Sequence, residues 1–163
     1  IKLQSEEGLG TTIRALFPSV KLLKATRPEK PMGHERSHIL VIDDDEAVQE
    51  LLKEIFQRAG YRVTTAETEL SALKILEQMQ EEVGVVLLDA DTLGSRPGRT
   101  VERIQEFDPR LPVVLSTGFA PEHILKQLAG QEIAGIVSMP FDETQLIEAI
   151  EVALDQNKDS SEP

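Results

Sequence analysis

The stretch Ile39-Leu40-Val41-Ile42-Asp43-Asp44-Asp45 decides the reading of this chain, because an apolar run closes there on three carboxylates. A second run, Val85-Val86-Leu87-Leu88-Asp89, repeats the pattern and also ends on an aspartate. Short, continuously apolar runs of this kind suit strands covered on both faces, as in a parallel sheet. Two such strands that deliver carboxylates at their C-terminal ends gather negative charge in one place, which is tolerable only with a cation or a proton among them. A Mg²⁺ site is the first expectation, and an aspartate that accepts a phosphoryl group the second.

Outward from these runs the pattern alternates strand and helix. A strand at 38–43 leads into a helix at about 46–59, with Val48, Leu51, Leu52 and Ile55 at helical spacing and Gly60 as its stop. Residues 61–65 are rich in β-branched side chains and predict a second strand; residues 67–80 place Leu70, Leu73, Leu76 and Met79 on a helical stripe. The third strand runs over 83–88. Gly94, Pro97 and Gly98 predict a loop over 91–99, followed by a helix over about 100–107 that Asp108-Pro109 closes. Strand four is expected at 112–115 before Ser116-Thr117-Gly118, and Pro121 suits the first turn of a helix that stops at Gly130. A fifth strand at 133–138 precedes a last helix, capped by Asp142 with Gln145 three residues on, whose buried stripe is Leu146, Ile147, Ile150 and Leu154. Five strands alternating with five helices predict an α/β domain with a parallel sheet wrapped on both sides. Ligands of such sheets sit beyond the carboxyl ends of the strands, where Asp43, Asp44, Asp89 and Thr117 all fall.

Composition excludes several other readings. The 163 residues suffice for one domain with appendages, and with 4% aromatic residues the core is built of Leu, Ile, Val and Ala. Without cysteine there is neither a disulfide framework nor thiol chemistry. The apolar runs are about six residues at the longest, against roughly 20 needed to cross a bilayer, and the N-terminus has no apolar signal segment. The formal net charge of -12 is uneven: residues 1–18 balance, residues 19–37 are basic, and the rest holds nearly all the acid. So acidic a body repels phosphate backbones, and nucleic acid is not an expected partner. Residues 19–37, with Pro28, Pro31 and Gly33 among scattered basic residues, read as a flexible linker, and residues 157–163 as a polar, frayed tail. The chain begins with Ile rather than Met, as expected of a fragment.

Phosphoryl transfer needs an in-line nucleophile, a divalent cation to neutralise equatorial oxygens, and donors that hold the phosphoryl group. Asp89 suits the nucleophile, Asp43 and Asp44 the carboxylates that hold Mg²⁺ directly or through water, and Thr117 a hydroxyl donor to a phosphoryl oxygen. On these residues, with Pro112-Val113-Val114-Leu115-Ser116-Thr117-Gly118 and Pro140-Phe141, the segment 38–156 resembles the receiver domain of two-component response regulators. The resemblance implies a flavodoxin-like, doubly wound sheet of strand order 2-1-3-4-5. It implies that Asp89 is the phosphoacceptor served by a histidine kinase, and that Mg²⁺ is held by Asp43, Asp44, Asp89 and the backbone carbonyl of Asp91. It also implies a cis bond before Pro140. Three departures stand out. Met139 occupies the place of the family's phosphoryl-neutralising Lys, and Ile136 that of its switch aromatic. After the acceptor, Ala90-Asp91-Thr92-Leu93 replaces a Met-Pro pair, and the following Gly comes one residue late, at Gly98.

Residues 1–18 carry a second resemblance. Ser5-Glu6-Glu7-Gly8-Leu9-Gly10-Thr11-Thr12-Ile13 and the closing Leu16-Phe17-Pro18 look like the last glycine box and final strand of a histidine kinase ATP-binding domain. A remnant of that domain, a linker and a receiver make the C-terminal order of a hybrid sensor kinase. The fragment itself lacks the remaining nucleotide-binding segments and the phosphorylated His, so it is not expected to act as a kinase. The implied partners are a histidine kinase or the chain's own kinase core and a histidine phosphotransfer protein. The implied location is the cytoplasm, with a parent kinase anchored in the membrane upstream.

Two rival functions use the same residues. A degenerate receiver, docking to its partners without phosphorylation, is motivated by Met139 and Ile136. A phosphatase of the haloacid-dehalogenase type is suggested by Leu88-Asp89-Ala90-Asp91-Thr92-Leu93, where Asp91 would be the acid/base, but that family needs one more residue before its Thr, a nucleophile on the first strand and a later Asp pair. Asp45 reads as a helix-start residue rather than a third ligand. His34, His38 and His123 have no metal-binding spacing.

Overall fold

The computed structural model describes residues 2–6, 10–14, 37–79, 82–91, 96–119, 124–126, 128 and 130–159. The predicted linker up to residue 36, the Leu16-Phe17-Pro18 closing segment, Pro121 and the end of the predicted tail lie outside the described residues. Near the N-terminus, β1 (Lys2–Glu6) and β2 (Gly10–Arg14) pair antiparallel, with Glu6 opposite Gly10.

The main sheet contains β3 (His38–Ile42), β4 (Arg62–Ala66), β5 (Val83–Asp89), β6 (Val113–Thr117) and β7 (Gly135–Ser138). Their order is β4-β3-β5-β6-β7 and every neighbouring pair is parallel, which counted from β3 is the 2-1-3-4-5 order of a flavodoxin-like sheet. The connections carry α1 (Glu46–Arg58), α2 (Glu69–Met79) and α3 (Pro97–Phe107), and α4 (Glu143–Asp159) follows β7. Between β6 and β7, residues 124–126 are helical and Ile124 and Leu128 are buried; Gly130, at φ 92°, takes the left-handed backbone that ends this segment. Among the described residues, no helix is long and apolar enough to cross a membrane.

The period of two along each strand divides the core. Ile39, Val41, Val85 and Leu87 pack with Phe56 of α1 and Ile150 of α4 on one face. Leu40, Ile42, Val86 and Leu88 pack with Leu76 of α2 and Ile104 of α3 on the other. Burial of every residue in β3 follows from this double cover, and each buried aliphatic side chain contributes about 1.5–3 kcal/mol to holding the strand central.

Local chemistry explains where the elements differ from the sequence reading. The second helix begins at Glu69, two residues later than expected, because Thr68 caps it: the Ser71 amide donates to Thr68 Oγ1 at 3.2 Å, and the Thr68 amide donates to Ser71 Oγ at 3.1 Å. The third begins at Pro97, inside the predicted loop, with proline in the first turn where a missing N–H costs nothing. Strand β6 extends through Thr117 rather than stopping at Leu115, and β7 starts at Gly135 rather than Ile133. Leu51 and Leu70, which the helical spacing groups with Leu52 and Leu76, are 52% and 59% exposed, while Gln49 and Ala72 are buried. The last helix continues to Asp159, past the expected fray point at Gln156. Its N-terminus is as expected: the Gln145 amide donates to Asp142 Oδ1 at 2.8 Å, and Leu146, Ile147, Ile150 and Leu154 are buried.

Candidate functional site

The C-terminal edge of the parallel sheet brings together residues that are far apart in sequence. Asp43 and Asp44 follow the last residue of β3, while Asp89 closes the adjacent β5 and Thr117 closes β6. Carboxylate oxygens of Asp43, Asp44 and Asp89 all lie within 4.8 Å of one another. Asp43 and Asp89 are buried at 5% and 7% exposure, and Asp44 is exposed. Such a cup of hard oxygen donors, open to water on one side, fits an ion of the Mg²⁺ type, which keeps several waters and takes only a few protein ligands.

The backbone fixes Asp43. Its amide donates to the Ala66 carbonyl at 3.0 Å, its carbonyl accepts from Gln49 Nε2 at 2.6 Å, and its Oδ1 accepts from the Asp45 amide at 2.8 Å. The burial of Gln49, which interrupts the apolar stripe of α1, follows from this bond to the site. Asp43 is pushed up to about 6, first by burial; the Asp45 N–H opposes that shift, and the charges of Asp89, Asp44 and Asp45 reinforce it. The charge of Asp89 thus opposes ionisation of its buried neighbour Asp43. Asp45 itself caps α1, accepting from the Ala47 amide at 2.8 Å and the Val48 amide at 3.4 Å, which places it outside the acid cup as the helix-start residue the sequence implied.

Asp89 is held at the sheet edge where the Ala90 amide donates to the Ser116 carbonyl at 2.9 Å, and its Oδ1 accepts from the Asp91 amide at 3.2 Å. Thr117 is fully buried. Its hydroxyl donates toward Asp91 Oδ1 at 3.1 Å and Oδ2 at 3.3 Å, while the same oxygen accepts from the Phe119 amide at 3.0 Å. The Gly118 amide donates to Asp91 Oδ2 at 2.5 Å. The Thr117 carbonyl accepts from the Met139 amide at 2.7 Å, and the Met139–Pro140 peptide bond is cis. Ile136 sits in β7 opposite Leu115, packed against the second core cluster.

The structure thus groups Asp43, Asp44 and Asp89, sets Thr117 on the next strand, and puts Met139 one residue beyond β7. The bonds of the Asp91 carboxylate to Thr117 and Gly118 are not foreseen in the sequence, where the receiver reading uses only its carbonyl and the carboxylate enters only as the acid/base of the phosphatase alternative. The one available signal was the Asp-x-Asp spacing from Asp89, which places a second acid within reach of the strand ends.

Comparison with known proteins gives this edge a context. Residues 39–151 match the family described as the response regulator receiver domain. The chain is 30% identical over 128 residues to the transcriptional regulatory protein GlrR of Escherichia coli, an alignment that covers 77% of this chain and 28% of that protein. It is 24% identical over 170 residues to the sensor kinase CckA of Brucella abortus, covering 96% of this chain and 18% of the kinase. The chain therefore spans 28% of the length of the first of these relatives. Its fold matches the crystal structure of a response regulator receiver domain protein from Clostridium thermocellum with a TM-score of 0.69 at 22% identity, over 75% of this chain and 97% of that one.

Proposed function

The chain belongs to the response regulator receiver domain family of two-component signalling, and from that premise we propose that it accepts a phosphoryl group on Asp89. The observation that carries this reading is the convergence of three carboxylates, two of them buried, at the ends of two adjacent strands. The carboxylates of Asp43, Asp44 and Asp89 would hold Mg²⁺ with the backbone carbonyl of Asp91. When bound, the ion supplies positive charge against the equatorial phosphoryl oxygens. An Asp89 carboxylate oxygen attacks phosphorus in line, the P–N bond to the donor imidazole breaks, and its electron pair stays on the ring nitrogen, which takes a proton. Thr117 donates its hydroxyl to one phosphoryl oxygen.

The donor is a phosphohistidine on a histidine kinase, and a histidine phosphotransfer protein is the next carrier. The parent chain reads as a hybrid histidine kinase. Support comes from the likeness to the sensor kinase CckA across 96% of this chain and from the hairpin that begins its second strand at Gly10. On that reading residues 1–18 end the ATPase domain, 19–37 link, and 38–156 receive. The phosphatase alternative finds no support, since Asp89 closes the central strand β5 rather than the first strand of the sheet, and the Asp91 carboxylate is engaged by Thr117 and Gly118.

Met139 favours a second reading, in which the domain docks without phosphorylation. A neutral side chain there leaves a phosphoryl dianion without the ammonium that the family supplies, a loss of about 2–5 kcal/mol where the charge stays buried. Labelling with radioactive acetyl phosphate separates the two. Mg²⁺-dependent incorporation that Asp89→Ala abolishes and Met139→Lys increases is the expected result. Incorporation that survives Asp89→Ala overturns the assigned acceptor, and labelling seen only in Met139→Lys supports docking.

A further inference from the structure

Two hydrogen-bond donors at the end of β6, the Thr117 hydroxyl and the Gly118 amide, converge on one anion, and that anion belongs to the protein. Asp91 Oδ1 lies 3.1 Å from Thr117 Oγ1, and Asp91 Oδ2 lies 2.5 Å from the Gly118 nitrogen. A hydroxyl and an adjacent backbone amide aimed at the same carboxylate make a small oxyanion pocket. Thr117 Oγ1 also accepts from the Phe119 amide at 3.0 Å, and because a carboxylate oxygen only accepts, the proton in the Thr117–Asp91 contact is the hydroxyl's own. The pocket adjoins the acceptor, because Asp91 is two residues from Asp89 and its amide donates to Asp89 Oδ1.

We propose that the Asp91 carboxylate is an internal stand-in for the phosphoryl group, occupying the Thr117 hydroxyl and Gly118 amide that a phosphoryl group on Asp89 would need. The inference rests on Asp89 being the phosphoacceptor. It has two consequences. An incoming phosphoryl group must displace Asp91, since two anions cannot share the same two protons, and Met139 offers no ammonium to offset their repulsion. The end of β6 is also held in an anion-bound arrangement before any phosphorylation, and it passes that arrangement to β7 through the Met139 amide on the Thr117 carbonyl at 2.7 Å. Asp91 thereby raises the threshold for phosphorylation and lowers the structural difference that phosphorylation makes. A methyl group at position 118 would meet Asp91 Oδ2 at 3.4 Å, so the carboxylate fills the space directly beside that backbone.

The test uses the whole chain with Mg²⁺ and beryllofluoride as the phosphoryl mimic, comparing wild type, Asp91→Ala, Asp91→Asn and Asp89→Ala. In the absence of the mimic, Asp91→Ala is expected to shift the Gly118 amide proton upfield in the ¹H–¹⁵N spectrum. Asp91→Asn, which keeps an acceptor oxygen but no charge, is expected to give a smaller shift. With the mimic, Asp91→Ala should bind about tenfold more tightly than wild type or better, with Asp91→Asn between them. An unmoved Gly118 amide in both variants, or equal or weaker binding by Asp91→Ala in a chain whose wild type does bind the mimic, overturns the stand-in role while leaving Asp89 as acceptor. Binding that Asp89→Ala does not abolish, or no binding by wild type and both Asp91 variants, removes the acceptor reading and this inference with it.

Discussion

Asp43 is the residue at which stability and binding pull in opposite directions. Its pKa is pushed up to about 6 from 3.8, so between those values the folded chain holds a proton that the unfolded chain has already released. Stability from this group is therefore greatest below about pH 4 and falls as pH rises through about 6. That elevation caps the loss at about 3 kcal/mol, and water reaching the cup past the exposed Asp44 cuts this to roughly half. A divalent cation needs the ionised form, so its affinity grows across the same window. Thermal melts from about pH 4.5 to 7.5 should show Tm without Mg²⁺ declining toward neutrality, and the gain on adding Mg²⁺ rising from near zero to its full value. A Mg²⁺ gain equally large at about pH 5 would show that Asp43 is not the titrating ligand.

At the scale of the elements, what positions the site is capping chemistry as much as hydrophobic period. Asp45 accepts from two amides of the first turn of α1, and Gln49 on the next turn ties the helix to the Asp43 carbonyl. Asp45→Ala should cost about 1 kcal/mol in urea unfolding without abolishing Mg²⁺ binding, whereas a loss of binding comparable to that of Asp43→Ala would make Asp45 a ligand after all. These local devices also mark what could be read in advance. The buried runs of β3 and β5 and the acids at their ends were legible, because double cover leaves an uninterrupted apolar signature. The start of α3 at Pro97 was not, since Pro97 and Gly98 serve a loop and a first helical turn equally well. Leu51 and Leu70 misled because an exposed leucine carries the same hydropathy as a buried one, and only packing against α1 and α2 tells them apart. The pairing of the Asp91 carboxylate with Thr117 and Gly118 is illegible for a related reason: beyond a strand end no period dictates side-chain direction, and these partners stand 26 and 27 residues away.

Across the whole molecule, the parallel topology that gives the domain its two cores also forces its strands to end at one edge, and three of the edge residues are acids within 4.8 Å. Unfolding disperses those charges, so the folded state alone bears their repulsion, and the same grouping lets it alone bind a divalent ion tightly. Removing one charge from the cup should therefore stabilise the ion-free protein while destroying its response to Mg²⁺. For Asp89→Asn the expected gain without metal is about 1 kcal/mol, or about 4 °C in Tm for a domain of this size. At a Mg²⁺ concentration of about 100 Kd, wild type should gain a further ~2.7 kcal/mol and the variant little. Differential scanning calorimetry with and without Mg²⁺ on both proteins checks the crossing. If Asp89→Asn is less stable than wild type in EDTA, the buried carboxylate is compensated within the fold, and the case for a cation at this edge loses its electrostatic basis.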